Sequence, residues 1–140
     1  MENLLTEIDH VAIAVNDLAA TVAWYEDVLG ARVVHREVVS TDGVEEALIA
    51  VADSFIQLLT PTNDESPVAR FLASRGEGLH HVGYRVSDCA AALEAVKSAG
   101  GRVIDAVPRP GSRGTTVAFI HPKTIGGTLI ELVQESTGTH

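Results

Sequence analysis

One pattern occurs twice in this sequence, in a single register offset by 71 residues. The first copy, IDHVAIAVNDLAATVAWYEDVLGARVV, starts at Ile8, and the second, LHHVGYRVSDCAAALEAVKSAGGRVI, starts at Leu79. Identical residues coincide without a gap at His10 and His81, Val11 and Val82, Val15 and Val86, Asp17 and Asp88, and Gly30 and Gly101. Such a repeat constrains the fold more than any single motif does, because it requires one structural unit to be built twice.

Each copy predicts the element order βαβββ. An alternating strand comes first (8–15 and 79–86), and an aspartate follows at the N-cap position of an alanine-rich helix (about 17–29 and 88–99) that ends at glycine. Three strand-like runs complete each copy, at 31–38, 44–51 and 54–60 in the first and at 102–107, 115–120 and 127–134 in the second.

We therefore predict an α+β fold in which two βαβββ modules form a curved, mixed eight-stranded sheet around a cleft. The first module spans residues 7–62, a connecting helix and linker span 63–78, and the second module spans 79–134. Together they make one domain, 7–134. A residue repeated on the inner face would then appear in the cleft twice, once from each module.

Composition limits the partners of this domain. The 140 residues carry a formal net charge of −9, which disfavours nucleic acid and anionic membranes. No apolar run approaches the roughly 20 residues that cross a bilayer, and the acidic start MENLLTEIDH lacks the features of a secretion signal. A single cysteine, Cys89, permits no internal disulfide and fits a reducing compartment. We expect a cytoplasmic protein.

Two polar residues interrupt apolar strands: Gln57 in FIQLLTP and Glu131 in TLIELVQ. Burying an unpaired amide costs roughly 2–7 kcal/mol, so each needs a partner inside the protein. Side chains alternate along a strand, and the branched residues of the two leading strands suit the helix side. Alternation therefore turns four repeat-related residues toward the cleft: His10, Gln57, His81 and Glu131. Gln57 and Glu131 align with a shift of 74 rather than 71 residues, so a net insertion of three residues lies between the first and last strands of the second copy.

Two imidazoles, an amide oxygen and a carboxylate suit a divalent transition ion such as Co²⁺, Ni²⁺, Zn²⁺, Fe²⁺ or Mn²⁺, and the lack of thiolate argues against a closed structural zinc site. Each residue alone has a simpler interpretation. A strand histidine is usually a hydrogen-bonded core residue, Gln57 could be an ordinary inward amide, and Glu131 could pair with Arg85. Their joint placement at repeat-equivalent positions favours the metal site.

The motifs IDHVAIAVNDL, YEDVLG, NDESPVARFLASRGEGLHHVGYRV and FIHPKTIGGTLIELVQ resemble the vicinal oxygen chelate superfamily, which includes glyoxalase I, extradiol dioxygenases and bleomycin-binding proteins. Within it, the chain is most similar to the methylmalonyl-CoA epimerase family, over residues 7–134. The resemblance implies metal ligands at His10, Gln57, His81 and Glu131, with Co²⁺ as the usual ion, an acyl-CoA substrate and a homodimer. Gln57 is informative, because glyoxalase I enzymes of the bacterial type carry glutamate there.

The same resemblance implies two glutamates that flank the substrate, Glu46 and Glu131. Interconverting the (2R) and (2S) epimers requires one base on each side of C2 and a stabilised enolate, which a divalent ion supplies as a Lewis acid. Strand alternation alone does not decide between Glu46 and its neighbour Glu45, because both faces of the run GVEEALIAV are mixed.

The stretch PRPGSRGTT and the turn HPKTIGG carry cationic residues on an otherwise acidic protein. We predict substrate contacts from Ser112, Arg113 and Lys123, with no covalent role for Ser112; the alternative is that they are ordinary solubilising turn residues. Two other functions use the same fold. One is a lyase or isomerase of the glyoxalase type, and the other is a metal-free module that binds a drug-like molecule.

Overall fold

The computed structural model describes residues 3–136 and confirms an α+β fold, with three helices and eight strands in this range. The helices are α1 (Leu18–Leu29), α2 (Pro67–Arg75) and α3 (Cys89–Ser98). The strands are β1 (Leu5–Ala14), β2 (Val33–Val39), β3 (Val44–Val51), β4 (Ser54–Pro61), β5 (Gly78–Val86), β6 (Arg109–Pro110), β7 (Thr116–Ile120) and β8 (Ile130–Gln134). Both repeats therefore have the predicted order βαβββ, and α2 connects them.

The chain forms two compact units. The N-terminal unit is residues 10–80, and the C-terminal unit consists of the residues through Asp9 together with those from His81 onward. The boundary falls inside β1. The first half of this strand thus belongs to the C-terminal unit and its second half to the N-terminal unit.

In the N-terminal unit the strand order is β2-β3-β4-β1. The β2–β3 and β3–β4 pairs are antiparallel, whereas β4 and β1 run parallel. One face of this sheet packs on α1 through a core of branched and aliphatic residues, among them Ile13, Val15, Ile49 and Leu58. This is the helix side that alternation predicts for the first strand.

The opposite face of the same sheet is only partly apolar. Near the ends of β1 and β4, Ala14 and Leu59 pack with Val68 and Phe71 of α2. Farther along β3 and β4 this face carries the polar side chains described below. The short connecting helix α2 therefore covers the apolar end of this face and does not cover the polar end.

In the C-terminal unit the strand order is β5-β8-β7-β6, with β5 and β8 parallel and the other pairs antiparallel. The first half of β1 lies against β5, where the Thr6 hydroxyl donates to the Arg85 carbonyl at 3.2 Å. A core around Val86, Leu93 and Leu132 packs this sheet on α3. The helix again lies on the side that the branched residues of the leading strand predict.

The helix ends follow the sequence signals. Asp17 and Asp88 cap α1 and α3 by accepting from the amides of Ala20 and Ala91, each at 3.0 Å. The first helix ends at Gly30 in the left-handed conformation (φ 64°), which a residue with a Cβ adopts only under strain. None of the helices in the described part of the chain is long and apolar enough to cross a membrane.

One predicted strand is wrong. Residues 102–107 form bends with a single bridge from Val103 to Ile120, and the edge strand β6 is only Arg109–Pro110. The side chain of Asp105 explains the difference, because its Oδ2 accepts from the Phe119 amide at 2.8 Å and so takes the place of a backbone partner. The last strand is also shorter than predicted, since it begins only at Ile130, after Gly126 and Gly127 at positive φ.

Candidate active site

The structure decides between the two adjacent glutamates of β3. Glu45 is exposed, whereas Glu46 is fully buried, with 0% of its surface accessible. In the β3–β4 ladder Leu48 pairs with Gln57 and Glu46 with Leu59, so Glu46 and Gln57 lie on the same face. Glu46 is therefore the glutamate of this pair that points toward the polar face.

Gln57 is buried beside Glu46, and the nitrogen and the oxygen of its side-chain amide have different surroundings. The Nε2 group donates to Glu46 Oε1 at 2.5 Å. A carboxylate accepts hydrogen bonds, so the amide nitrogen must face it and the amide oxygen must point away. Among the described residues that oxygen, Oε1, has no hydrogen-bond partner. A buried acceptor left without a partner costs about 1–3 kcal/mol, unless a ligand uses it.

His10 shares this face. In the parallel β1–β4 pair it lies opposite Phe55, two residues from the Ala12–Gln57 pair. Its side chain is buried, at 4% exposure, and its neighbours on this face of β1 are the small Ala12 and Ala14. The N-terminal unit therefore presents an imidazole, an amide oxygen and a carboxylate on one face of one sheet.

The C-terminal unit presents an imidazole and a carboxylate at the equivalent positions. His81 Nε2 lies 3.1 Å from Glu131 Oε1, and both side chains are buried. The ring of His81 meets Phe119 edge to face at 5.1 Å, which fixes its orientation. Gly83, which has no side chain, lies opposite Glu131 in the β5–β8 pair.

An ion network that sequence reasoning missed lies beside this pair in the C-terminal unit. Asp9 is completely buried and accepts from Arg85 at 2.9 Å and from Arg113 at 2.8 Å. Arg85 also pairs with Glu7 at 2.7 Å. Burial lowers the pKa of Arg85, but the hydrogen bond and charge of Asp9, with Glu135 and Glu7, outweigh it and raise the pKa above its usual value. The network anchors the segment around Arg113.

The three predicted substrate contacts have different surroundings. The guanidinium of Arg113 is bound to Asp9, and Arg113 itself adopts a positive φ of 56°. Ser112 accepts through its carbonyl from the Thr115 hydroxyl at 2.7 Å. Lys123 is exposed, and with Arg102 it lies at a largely apolar cavity of about 630 Å³ beside α3. Nearby, slight desolvation and the charges of Arg102 and Lys123 lower the pKa of His121.

Two further contacts were missed: that of His35, and that of Arg109, which the sequence indicated only as one of the cations of PRPGSRGTT that could meet the substrate. His35 lies beside Glu46, and Arg109 stacks over the Phe119 ring at 5.7 Å while donating to Asp105. The alternation of HREVV on β2 already places His35 and Glu37 on one face, and this signal could have identified the first. The second depends on contacts across a loop that no local pattern encodes.

Comparison with known proteins identifies the family of the chain. A model of the glyoxalase/bleomycin resistance protein/dioxygenase superfamily matches residues 9–119. An ethylmalonyl-CoA/methylmalonyl-CoA epimerase of Cereibacter sphaeroides is 40% identical over 133 residues, which cover 94% of this chain and 99% of that protein. A methylmalonyl-CoA epimerase structure from Mycobacterium tuberculosis matches with a TM-score of 0.93 and 41% identity, over 97% of this chain and 92% of that one.

A second solved structure, a methylmalonyl-CoA epimerase in complex with methylmalonyl-CoA and NH4+, matches with a TM-score of 0.91 and 41% identity over 95% of this chain and 96% of that one. The chain therefore belongs to the glyoxalase/bleomycin resistance protein/dioxygenase superfamily. These matches extend over nearly the whole chain and not over one repeat alone. Within the superfamily, the chain is an enzyme of the methylmalonyl-CoA epimerase family.

Proposed function

We propose that this enzyme interconverts (2R)- and (2S)-methylmalonyl-CoA by transferring a proton at C2. The observation that carries the proposal is the buried Glu46–Gln57 pair, which combines a candidate base with an amide oxygen that has no partner among the described residues. A metal-free binding module has no evident need for a fully buried carboxylate, whereas an enzyme that abstracts a proton does. Membership of the epimerase family supports the substrate.

We further propose that a divalent ion is bound by His10, Gln57, His81 and Glu131. Each unit supplies ligand-type atoms that fit such an ion. The Gln57 oxygen, which has no partner among the described residues, suits it, and His81 Nε2 and Glu131 Oε1, at 3.1 Å from each other, are close enough that both would hold one ion. When bound, the ion supplies Lewis-acid stabilisation of the negative charge on the thioester oxygen. Co²⁺ is our first choice, and Mn²⁺, Ni²⁺, Zn²⁺ and Fe²⁺ suit the same donors.

Glu46 and Glu131 are proposed as the two bases. One removes the C2 proton of one epimer, and the conjugate acid of the other returns a proton to the opposite face. Burial of Glu46 keeps water away from the carboxylate, and the Gln57 amide holds one of its oxygens in place. In Glu131, Oε1 faces His81, so its second oxygen is the one proposed to exchange a proton with substrate.

The remaining substrate contacts follow from charge. The substrate carries a carboxylate and the phosphates of coenzyme A, and the protein carries a net charge of −9. Local cations must therefore bind it, and we propose Lys123 and Arg113, with Ser112 as a hydrogen-bonding group. Since Arg113 is already bound to Asp9, it would act as one side of a shared ion pair. A homodimer is proposed from the family resemblance, and a cytoplasmic location from the single cysteine, which fits a reducing compartment.

The test is proton NMR of methylmalonyl-CoA in deuterated water, with each pure epimer in turn. We expect rapid loss of the C2 proton signal with the enzyme, and loss of this exchange after treatment with a chelator, followed by recovery on adding Co²⁺. Exchange that persists with all metal removed would contradict the ion's role. If the metal-loaded protein gives no exchange above background, the epimerase proposal fails and glyoxalase-type hemithioacetals become the next substrates to test.

A further inference from the structure

His35 lies beside the proposed base Glu46 and has no role in the reaction described so far. In the β2–β3 ladder Glu37 is directly opposite Glu46, and His35 is opposite Leu48. Paired residues and those two apart share a face of a sheet, so His35, Glu37 and Glu46 point the same way. Like charges directly opposite each other destabilise a strand pair. The two glutamates therefore need a group between them, and His35 is placed to be that group.

The distances define how this group is held. His35 Nε2 is 2.8 Å from Glu37 Oε1, which is a hydrogen bond, and 3.8 Å from Glu46 Oε2, which is too long for a hydrogen bond but close enough for an electrostatic contact. Both carboxylates accept, so the Nε2 position of His35 must carry the proton. His35 and Glu37 are each about one-third exposed, with side-chain exposures of 32% and 35%, whereas Glu46 is fully buried.

The two oxygens of Glu46 thus face different neighbours. Oε1 accepts from the Gln57 amide, and Oε2 faces the N–H edge of His35. The Gln57 amide fixes one oxygen of Glu46, but the carboxylate can still rotate about that hydrogen bond. The electrostatic contact between His35 and the other oxygen opposes this rotation. A base must reach its proton in one geometry, and small misplacements lower rates strongly.

We propose that His35, itself held by Glu37, is a positioning residue that orients the carboxylate of Glu46 for proton transfer. This inference rests on the proposed function, since it assigns a supporting residue to the same site. An ordinary surface ion pair between His35 and Glu37 would contribute little to stability and nothing to the reaction. The two interpretations differ in which epimer of the substrate responds to a substitution.

The first experiment measures deuterium exchange at C2 for each epimer separately. The epimer served by Glu46 is identified as the one whose exchange Glu46→Gln abolishes. We expect His35→Leu to slow exchange of that epimer about tenfold in kcat with little change in KM, and to leave the other epimer within about twofold. His35→Gln keeps an N–H donor and should restore most of the rate. Arg36→Gln, on the exposed opposite face of β2, is the matched control.

Loss of exchange from both epimers in His35→Leu, or from neither, would overturn the proposal. The first outcome indicates general damage to the site, and the second indicates a surface ion pair only. Glu37→Gln should weaken the anchor of His35 and reproduce part of the effect on the same epimer. Failure of the proposed function itself gives a different result, because the unmodified enzyme would then exchange neither epimer.

A second measurement does not depend on catalysis. The ¹⁵N resonance of His35 Nε2 is compared between the unmodified enzyme and Glu46→Gln at one fixed pH. If the imidazole edge contacts the Glu46 carboxylate, neutralising that carboxylate shifts the resonance, whereas Glu45→Gln leaves it in place. An unchanged Nε2 resonance in Glu46→Gln would refute the contact whether or not the enzyme is an epimerase.

Discussion

The two repeats share a register and a strand order, but they support their polar residues differently. In the N-terminal unit the polar face is built on long paired strands of seven and eight residues, and Glu46, Gln57 and His35 are held by the ladder itself. In the C-terminal unit the equivalent edge strand has two residues, and the loop beside it is held by side chains: Asp9 with Arg113, and Asp105 with Arg109.

This difference indicates that the two copies of the repeat have different roles. A strand ladder gives rigid positions and suits a base that must keep one orientation. A loop held by ion pairs can change length and sequence with little effect on the sheet, which suits the recognition of a large substrate. Substitutions in the N-terminal unit are thus expected to change the reaction rate most, whereas substitutions in the C-terminal unit are expected to change the stability of the loop.

The largest expected effect is on the base of the N-terminal unit. Glu46→Gln should lower the rate of epimer interconversion by about 10²–10⁴-fold, because it removes a group that transfers a proton. Glu45→Gln is the control, since Glu45 is adjacent and exposed on the other face; it should stay within about twofold. The rates are measured by NMR or by a coupled assay. Equal losses in both variants would show that the ladder does not separate the two glutamates functionally.

The next effect is on the buried ion network of the C-terminal unit. Asp9→Asn should reduce the free energy of unfolding by about 3–5 kcal/mol, because it leaves the charge of Arg85 buried without its main partner. Glu7→Gln removes a more exposed partner of the same arginine, and should cost less than about 1 kcal/mol. Urea denaturation of chelator-treated samples gives both values. A small loss for Asp9→Asn would mean that the loop does not depend on this anchor.

A third prediction concerns Cys89, which aligns with Leu18 of the other repeat. Helix N-termini usually lower a thiol pKa, but burial raises the pKa of Cys89 from 9.0 to about 11, with smaller contributions from Asp88, Glu131 and Asp105. At pH 8 the native thiol should react with iodoacetamide about 100-fold more slowly than the urea-unfolded thiol, in line with its lower thiolate fraction. No other cysteine in the chain obscures the rate.

The same shift gives a pH dependence of stability. The folded state keeps the thiol proton up to about pH 11, whereas the unfolded state releases it near 9.0, so the thiol's contribution is complete below 9 and is lost as the pH rises through this window. Cys89→Ala should lack this decline. A native alkylation rate close to that of the unfolded chain would contradict both expectations.

The smallest effects compare the two helix caps. Asp17 and Asp88 make the same bond at the same distance, so Asp17→Ala and Asp88→Ala should each cost about 1 kcal/mol, while the asparagine variants should cost little. Thermal or chemical denaturation provides the values. Clearly unequal costs would show that the two caps are not equivalent, although their hydrogen bonds have the same length.

The parts of the molecule that local pattern encodes were predictable. Alternation placed His10 and the branched residues of β1 on opposite faces, and the two aspartates marked both helix starts. The strand pattern did not decide between Glu45 and Glu46, because apolar residues flank both; the family resemblance implied Glu46, and the pairing of β3 with β4 gives the structural reason. Residues 102–107 were mistaken for a strand because the Asp105 side chain, which resembles any turn residue in sequence, accepts the Phe119 amide.

Asp9 could not be predicted for a different reason. Its partners, Arg85 and Arg113, lie 76 and 104 positions away. Neither arginine has a cationic counterpart in the first copy of the repeat, so the repeat gives no signal for this ion pair. Alternation placed it in a strand but gave no hint that a carboxylate could be completely buried there. Long-range ion pairs of this kind leave no periodic trace in a single sequence.

The division of β1 between the two units has a consequence for synthesis on the ribosome. Asp9 leaves the exit tunnel 104 residues before Arg113, and at 5–20 residues per second the interval is about 5–20 s. Within that time the nascent chain can complete residues 10–80, and Arg85, the earlier of the two partners of Asp9, follows Asp9 by 76 residues. The first half of β1 is thus made before the N-terminal unit, but it can join its own unit only after the whole N-terminal unit has been made.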